Sequence, residues 1–340
     1  MSEDQTELSA RCRALVEELG IGRAEEVADV ERLTGGVASD IARVRLGGGD
    51  ICVKFALPQL RVAAEWKAPV HRSAAEYAWL TVAAQVAPES AIRLFGRSET
   101  LNGFAMEFIS GNDVTLWKAA LLAEAPDRGE AEAVGAVLGR IHRASAAAGF
   151  DTAPFQNRDD FRALRIEPYL TYTARRHPAV SAPLNALADR LYDSDRILVH
   201  GDVSPKNILF RKQGPVILDA ECATMGDPSF DPAFCINHLL LKAVHLPASR
   251  QRLLASIGRF WRAYGAHVTW EPLDALEARV CHLLPALMLA RVDGKSPVEY
   301  LTEESRETVR TLAVDGLVHP AEKVAGFVDS IDRALKGRSA

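Results

Sequence analysis

The spacing of apolar residues changes along the chain, and each change predicts a different kind of element. Leu8, Cys12, Leu15, Val16 and Leu19 share one helical stripe that ends at Gly20, which predicts an opening amphipathic helix. The period then shortens. "ERLTGGVASDIARVRLGGGDICVKFAL" reads as three short strands, around Arg32, Ile41 to Leu46 and Ile51 to Ala56, an antiparallel meander with a turn at GGGD. After Pro69, "HRSAAEYAWLTVAA" returns to helical spacing with Ala75, Trp79 and Val82 on one side, and "SAIRLFG" and "FAMEFIS" predict two more strands.

From about Ile109 the signal is mostly helical. In "AEAVGAVLGRIHRA", Val134, Val137, Leu138 and Ile141 stand at i, i+3, i+4 and i+7. "LVHGDVSPKNILF" breaks that pattern: an apolar run ending at His200 predicts a strand, Asn207 to Phe210 begins another, and the residues between form a tight loop. Pro205 fixes its own φ and lacks a donor, so no helix is expected through that loop. "NILFRKQGPVILD" predicts a hairpin, and helices fill most of the chain after Phe230. The expected fold class is α+β: a five-stranded antiparallel sheet lobe over residues 1–108, joined through "AMEFIS" to a larger, mainly helical lobe over 109–340.

Composition narrows the classes. At 340 residues the chain exceeds a usual single core, so two lobes are the expectation. A net charge of −5 argues against a nucleic-acid partner held by a basic surface. No apolar run approaches the roughly 20 residues that span a bilayer, and "CHLLPALMLA" reads as a buried helix. The polar start "MSEDQTELSA" lacks secretion-signal chemistry, and five scattered cysteines without a CxxC pair fit reduced thiols, so a cytoplasmic location is expected. Oligomeric state has no signature in the sequence.

The candidate chemistry sits in the loop. The arrangement His200-x-Asp202-x-x-x-x-Asn207, with a hairpin ending in Asp219, resembles the phosphoryl-transfer loop of kinases in order and spacing. With "VILDAE", "GDPSFD", "LGRIH" and the lysine of "ICVKFA", the chain resembles the aminoglycoside phosphotransferase and choline kinase-like family of small-molecule kinases. "RLTGGVASDI", "DPAFCINHLLLKA" and the Asp-x-Glu after the hairpin add some likeness to methylthioribose kinases, although their loop usually reads HGDLHTGS.

The resemblance implies a bilobal protein-kinase-like fold and a reaction that moves the γ-phosphoryl of ATP, with Mg²⁺, to a hydroxyl of a small molecule such as a sugar, amino alcohol or aminoglycoside. It also assigns roles. Asp202 is the catalytic residue expected to orient the acceptor hydroxyl, and Asn207, Asp219 and Glu221 are the expected metal ligands, oxygen donors of the kind Mg²⁺ prefers. Lys54 is expected to contact the nucleotide phosphates. Its partner is Glu65, nearer in sequence but close to Pro69, or Glu76, which stands inside the predicted helix and is the expected one.

The loop from Thr34 to Asp40 would cover the phosphates with backbone N–H groups, Ser39 adding a hydroxyl. Adenine is placed against the C=O of Glu107 and the N–H of Ile109, with Met106 behind it. Asp231 is expected to brace the catalytic loop from the start of a helix, and His200 to brace it from within. His142 reads as a hydrogen-bonded core histidine. Trp117 and Lys118 are candidates for the acceptor pocket or for a helix surface. Arg291, Asp293 and Lys295 are candidates for holding the acceptor or for an exposed polar loop.

Two competing readings are weaker. A protein kinase usually carries a lysine two residues after the aspartate, where Ser204 stands, and Asp-Phe-Gly where this chain has Asp-Ala-Glu. An inactive, nucleotide-binding regulatory relative would not need the charged set that is retained.

Overall fold

In a computed structural model that describes residues 3–33, 39–58 and 69–337, the chain divides into two compact units, Met1–Val114 and Thr115–Ala340. Most of the loop expected over Thr34 to Asp40 lies outside the described residues, as does Glu65.

The first unit is built from α1 (Glu3–Glu18), β1 (Asp29–Arg32), β2 (Ser39–Leu46), β3 (Gly49–Ala56), α2 (Arg72–Val86), β4 (Leu94–Ser98) and β5 (Gly103–Glu107). The strands form one antiparallel sheet in the order β1-β2-β3-β5-β4. The apolar stripe of α1 buries Leu8, Cys12, Leu15 and Val16 in a cluster with Ala42, Val44, Ile51, Val53, Phe55 and Ala105 of the sheet. Ile51, Val53 and Phe55 alternate along β3, so the intervening Cys52, Lys54 and Ala56 take the opposite face. That alternation directs a lysine away from the α1 core.

The second unit begins with β6 (Thr115–Leu116), α3 (Trp117–Leu122) and α4 (Glu130–Ser145), and continues through α5 (Arg158–Phe161), a π-helical stretch over Arg162–Thr171, α6 (Tyr172–Arg176) and α7 (Ser181–Asp193). It goes on with β7 (Ile197–Val199), β8 (Ile208–Arg211), β9 (Gly214–Ile217) and β10 (Thr224–Gly226). It ends in α8 (Phe230–His245), α9 (Arg250–Gly265), α10 (Leu273–Asp293), α11 (Glu303–Val318) and α12 (Val324–Gly337). The expected hairpin is β8 and β9, which β6 extends to three strands, while β10 pairs with β7. On α4, Gly135 and Gly139 let α9 approach closely: an added Cβ would stand 2.4 Å from the Phe260 carbonyl oxygen or 2.8 Å from that of Tyr264.

Two sequence expectations change. Pro205 does not keep helical geometry out of the loop; it opens a single 3₁₀ turn, Pro205–Asn207, because the first position of a helical turn needs no donor. Arg291 and Asp293 are not in an exposed loop. They close α10, at 8% and 7% exposure, because its apolar run carries the helix on to Asp293. No helix among the described residues is long and apolar enough to cross a membrane. All five cysteines are buried and unpaired.

Candidate active site

The loop after β7 folds around its own polar groups. The Asp202 N–H donates to His200 Nδ1 at 3.0 Å, and Ser204 Oγ donates to Asp202 Oδ1 at 3.0 Å. Burial lowers the His200 pKa, consistent with an unprotonated Nδ1 that accepts. Gly201 has φ +82°, and a Cβ there would meet Cys222 Cβ at 2.7 Å, so both conformation and space demand glycine. His200 therefore braces the loop, as its position suggests.

Asp231, in the first turn of α8 and fully buried, holds the loop from outside. Its Oδ2 accepts the His200 N–H at 2.7 Å and its Oδ1 the Gly201 N–H at 2.8 Å. His142 Nε2 lies 3.2 Å from Oδ2, and since a carboxylate only accepts, Nε2 is the donor. Its Nδ1 is 2.9 Å from Tyr264 Oη. The motif LGRIH thus reaches the loop after β7 through Asp231.

Two cations meet Asp202 that the sequence pattern did not assign. Arg165, from the π-helical stretch, places Nη2 2.9 Å from Asp202 Oδ2 and donates through Nε to the Gly201 carbonyl. Lys206 Nζ is 3.0 Å from the same Oδ2 and 3.9 Å from Asp219 Oδ2. Burial alone would raise the Asp202 pKa, but Lys206 and Arg165 outweigh it and hold the carboxyl well below the usual range. The position of Lys206, four residues after Asp202 in the same loop, was the available signal; Arg165 had none locally.

Asn207 is buried, and its Nδ2 donates to the Asp202 carbonyl at 3.1 Å, with Oδ1 left as an acceptor without a hydrogen bond among the described residues. Its own carbonyl accepts the Leu218 N–H at 2.9 Å and ties the loop to the end of the hairpin. Asp219 follows with φ +70°, a strained value for a non-glycine residue. The bend brings carboxylate oxygens of Asp219 and Glu221 within 4.8 Å of each other. An amide oxygen and two carboxylates form a set of hard oxygens that suits Mg²⁺.

In the first unit, Lys54 Nζ lies 2.9 Å from Glu76 Oε1 and 2.8 Å from Oε2, with both side chains at most 3% exposed. Ser39 is buried at the start of β2. Glu107 ends β5, its N–H donating to the Arg93 carbonyl at 2.8 Å, and Ile109 lies just beyond, half-buried. Met106 is buried.

The remaining candidates have other occupations. Trp117 is buried against Phe210, with ring centroids 5.9 Å apart, and is no helix surface. Lys118 pairs with Glu299. Asp293 is held by Arg310, at 2.7 and 2.8 Å, and by His177 at 2.9 Å. Lys295 donates its N–H to the Pro168 carbonyl at 3.0 Å.

No curated protein matches the chain. Among solved structures it is similar to a choline/ethanolamine kinase family protein from Mesorhizobium loti, with 16% identity, 98% of this chain and 94% of that one covered, and a TM-score of 0.53. It is also similar to the Plasmodium vivax ethanolamine kinase, at 10% identity, 91% and 89% coverage and a TM-score of 0.56. The amicoumacin kinase hAmiN, whose structure is a complex with AMP-PNP, Ca²⁺ and Ami, aligns at 13% identity over 94% and 97% of the two chains with a TM-score of 0.57. At such identities the likeness establishes a shared kinase-like fold. The family model described as the phosphotransferase enzyme family matches residues 29–276, and the chain belongs to that family.

Proposed function

We propose that the protein is an ATP- and Mg²⁺-dependent kinase that transfers the γ-phosphoryl group to a hydroxyl of a small molecule. The observation that carries the reading is the fixed Asp202 carboxylate, with the oxygens of Asn207, Asp219 and Glu221 supplied by the same loop and hairpin. Phosphoryl transfer asks a protein mainly for positioning and charge balance. Asp202 is built for positioning, since its depressed pKa makes it a weak base but a permanently ionised acceptor for the hydroxyl proton.

Ser204 and the backbone grip of Asp231 fix the angle from which Asp202 meets the acceptor. Asn207 Oδ1, Asp219 and Glu221 would hold Mg²⁺, which when bound supplies positive charge to the phosphate oxygens. Lys206, with its side chain 43% exposed, is placed to trade Asp202 for a phosphate oxygen. Lys54, oriented by Glu76, is suited to nucleotide phosphates, and Glu107 and Ile109 to the adenine edge.

Asp202→Asn tests the reading. Calorimetry with AMP-PNP and Mg²⁺ is expected to give an affinity within about threefold of wild type, while acceptor-dependent ATP consumption falls by about 10³ or more. Normal turnover by this variant would remove Asp202 from the chemistry. An absence of nucleotide binding by the wild type would overturn the kinase reading as a whole.

A further inference from the structure

Asp231, Phe234, His238 and Lys242 of α8 stand at i, i+3, i+7 and i+11, one stripe of the helix. At one end Asp231 grips the catalytic loop. Next, Phe234 lies beneath Arg165, the guanidinium 6.0 Å from its ring, and Arg165 is paired with Asp202. The His238 ring follows, 5.2 Å from Phe234 and 5% exposed. One turn further, Lys242 is 1% exposed; its Nζ faces the Tyr300 ring, 5.0 Å from the centroid, and no hydrogen bond to it is found among the described residues.

Other donors around it are also unspent. Tyr300 Oη and Arg291 Nε are buried without a hydrogen-bond partner among the described residues, although Arg291 Nη1 donates to Tyr169 Oη at 3.2 Å, to Ser296 Oγ at 3.1 Å and to the Ser296 carbonyl. The acids nearby are committed elsewhere: Glu299 to Lys118, and Asp293 to Arg310 and His177. Glu299 acts on Lys242 only at long range, outweighed by burial, and a buried ammonium without a hydrogen-bonded counter-charge is unfavourable. Burial pushes the Lys242 pKa down to about 7, with Lys118 and Arg291 adding to the effect. His238 is lowered as well, by burial first and then by Arg291 and Lys242, and it feels Asp202 and Lys206. "AFCINHLLLKAV" is otherwise an apolar helix, in which a methionine would fill the place of Lys242 without that cost.

We propose that Lys242, with His238, Tyr300 and Arg291, receives an oxyanion of the phosphoryl acceptor, so that the acceptor is a small hydroxylated anion rather than an amino alcohol or an aminoglycoside. The proposal rests on the kinase reading and names the substrate class for it. The stripe joins the two requirements: its first residue fixes the loop that meets the hydroxyl, and its last supplies the positive charge. Cationic acceptors would meet the same groups as repulsion.

The test is calorimetry on wild type and Lys242→Met. Each protein is titrated first with AMP-PNP and Mg²⁺, then, in their presence, with glycerate, ribose 5-phosphate, inorganic phosphate, ribose and choline. The nucleotide is expected to bind both proteins alike. At least one of glycerate, ribose 5-phosphate and inorganic phosphate should bind wild type tenfold or more tightly than ribose or choline do. Lys242→Met should lose that advantage, Lys242→Arg should keep most of it, and Tyr300→Phe should lose about threefold. Preference for glycerate assigns a carboxylate, and preference for ribose 5-phosphate a phosphate.

Choline or ribose binding as well as the anions, an unchanged Lys242→Met, or nucleotide binding without any anion binding would each overturn the proposal. Loss of nucleotide binding alone would instead overturn the kinase reading, with the anion arm still read by titrating the nucleotide-free protein with inorganic phosphate.

Discussion

Asp231 holds the backbone of His200, accepting its N–H at 2.7 Å from a fully buried carboxylate. The same carboxylate takes the Gly201 N–H and the His142 ring, so both of its oxygens face donors. Asp231→Asn would turn an amide N–H toward one of those donors. The expected cost is about 3 kcal/mol of stability in urea unfolding, with kcat falling at least tenfold and nucleotide affinity retained. Equal losses of kcat and nucleotide binding would mark a merely structural role.

The Lys54–Glu76 pair lends itself to a double-mutant cycle. Either Lys54→Met or Glu76→Leu takes from the remaining buried charge its partner in this pair and should cost about 3 to 5 kcal/mol, while the double variant should recover most of it. All three are expected to lose nucleotide affinity by calorimetry. Recovery of stability without recovery of binding would separate the functional reason for the pair from its structural one.

Lys206 and Arg165 together hold the Asp202 carboxyl below its usual range. Asp202 has a folded pKa below its unfolded value, so its contribution to stability is present above about pH 4 and is lost as pH falls through the folded pKa. No acid limb of kcat above about pH 4 should belong to Asp202 in the wild type. Lys206→Ala removes a cation 3.0 Å away and should raise that pKa, bringing an acid limb into view in rate measurements at about pH 4 to 6. An unmoved profile would mean that Arg165 alone keeps Asp202 ionised.

Lys242 has a linkage of the same sign in a higher pH window, but through a cost rather than a gain. Its folded pKa of about 7 lies below the unfolded 10.5, so the unfolded chain binds the extra proton between those values and stability rises with pH across that window. Lys242→Met should stabilise the protein at every pH below about 10, and more at about pH 6 than at about pH 9 by on the order of 2 kcal/mol. Denaturant titrations at the two pH values measure the difference. A variant no more stable than wild type on the acid side would mean that Lys242 is not strained by burial.

The meander, the first helix and the hairpin were legible because their signals are local: alternation through β3, the stripe of α1, and the Lys-Gln-Gly-Pro run, of which Lys212 and Gln213 make the turn between β8 and β9. The loop from His200 to Asn207 was legible for the same reason, whereas the bend at Asp219 was not: the path to Glu221 reads as strand-like, and the positive φ of an aspartate leaves no mark in the pattern. Arg165 was not, since a π-helical stretch has no reliable period and it meets Asp202 across a long sequence interval. β6 and β10, of two and three residues, are shorter than any period that could announce them. Gly294 and Pro297 suggested an exposed loop around Arg291 and Asp293, yet partners on α11 and beside α6 draw Asp293 inward, which only tertiary contact decides.

The close approach of Gly201 to Cys222 gives the loop after β7 a natural reporter. Cys222 is 3% exposed, and burial pushes its thiol pKa up to about 12, so in this structure it is nearly inert toward alkylating reagents. Labelling at this one sulfur must wait for the loop to lift away, and its rate therefore counts openings. Ligands that clamp the loop should slow labelling in proportion to their occupancy, so mass spectrometry of Cys222 alkylation would rank candidate acceptors with no turnover required.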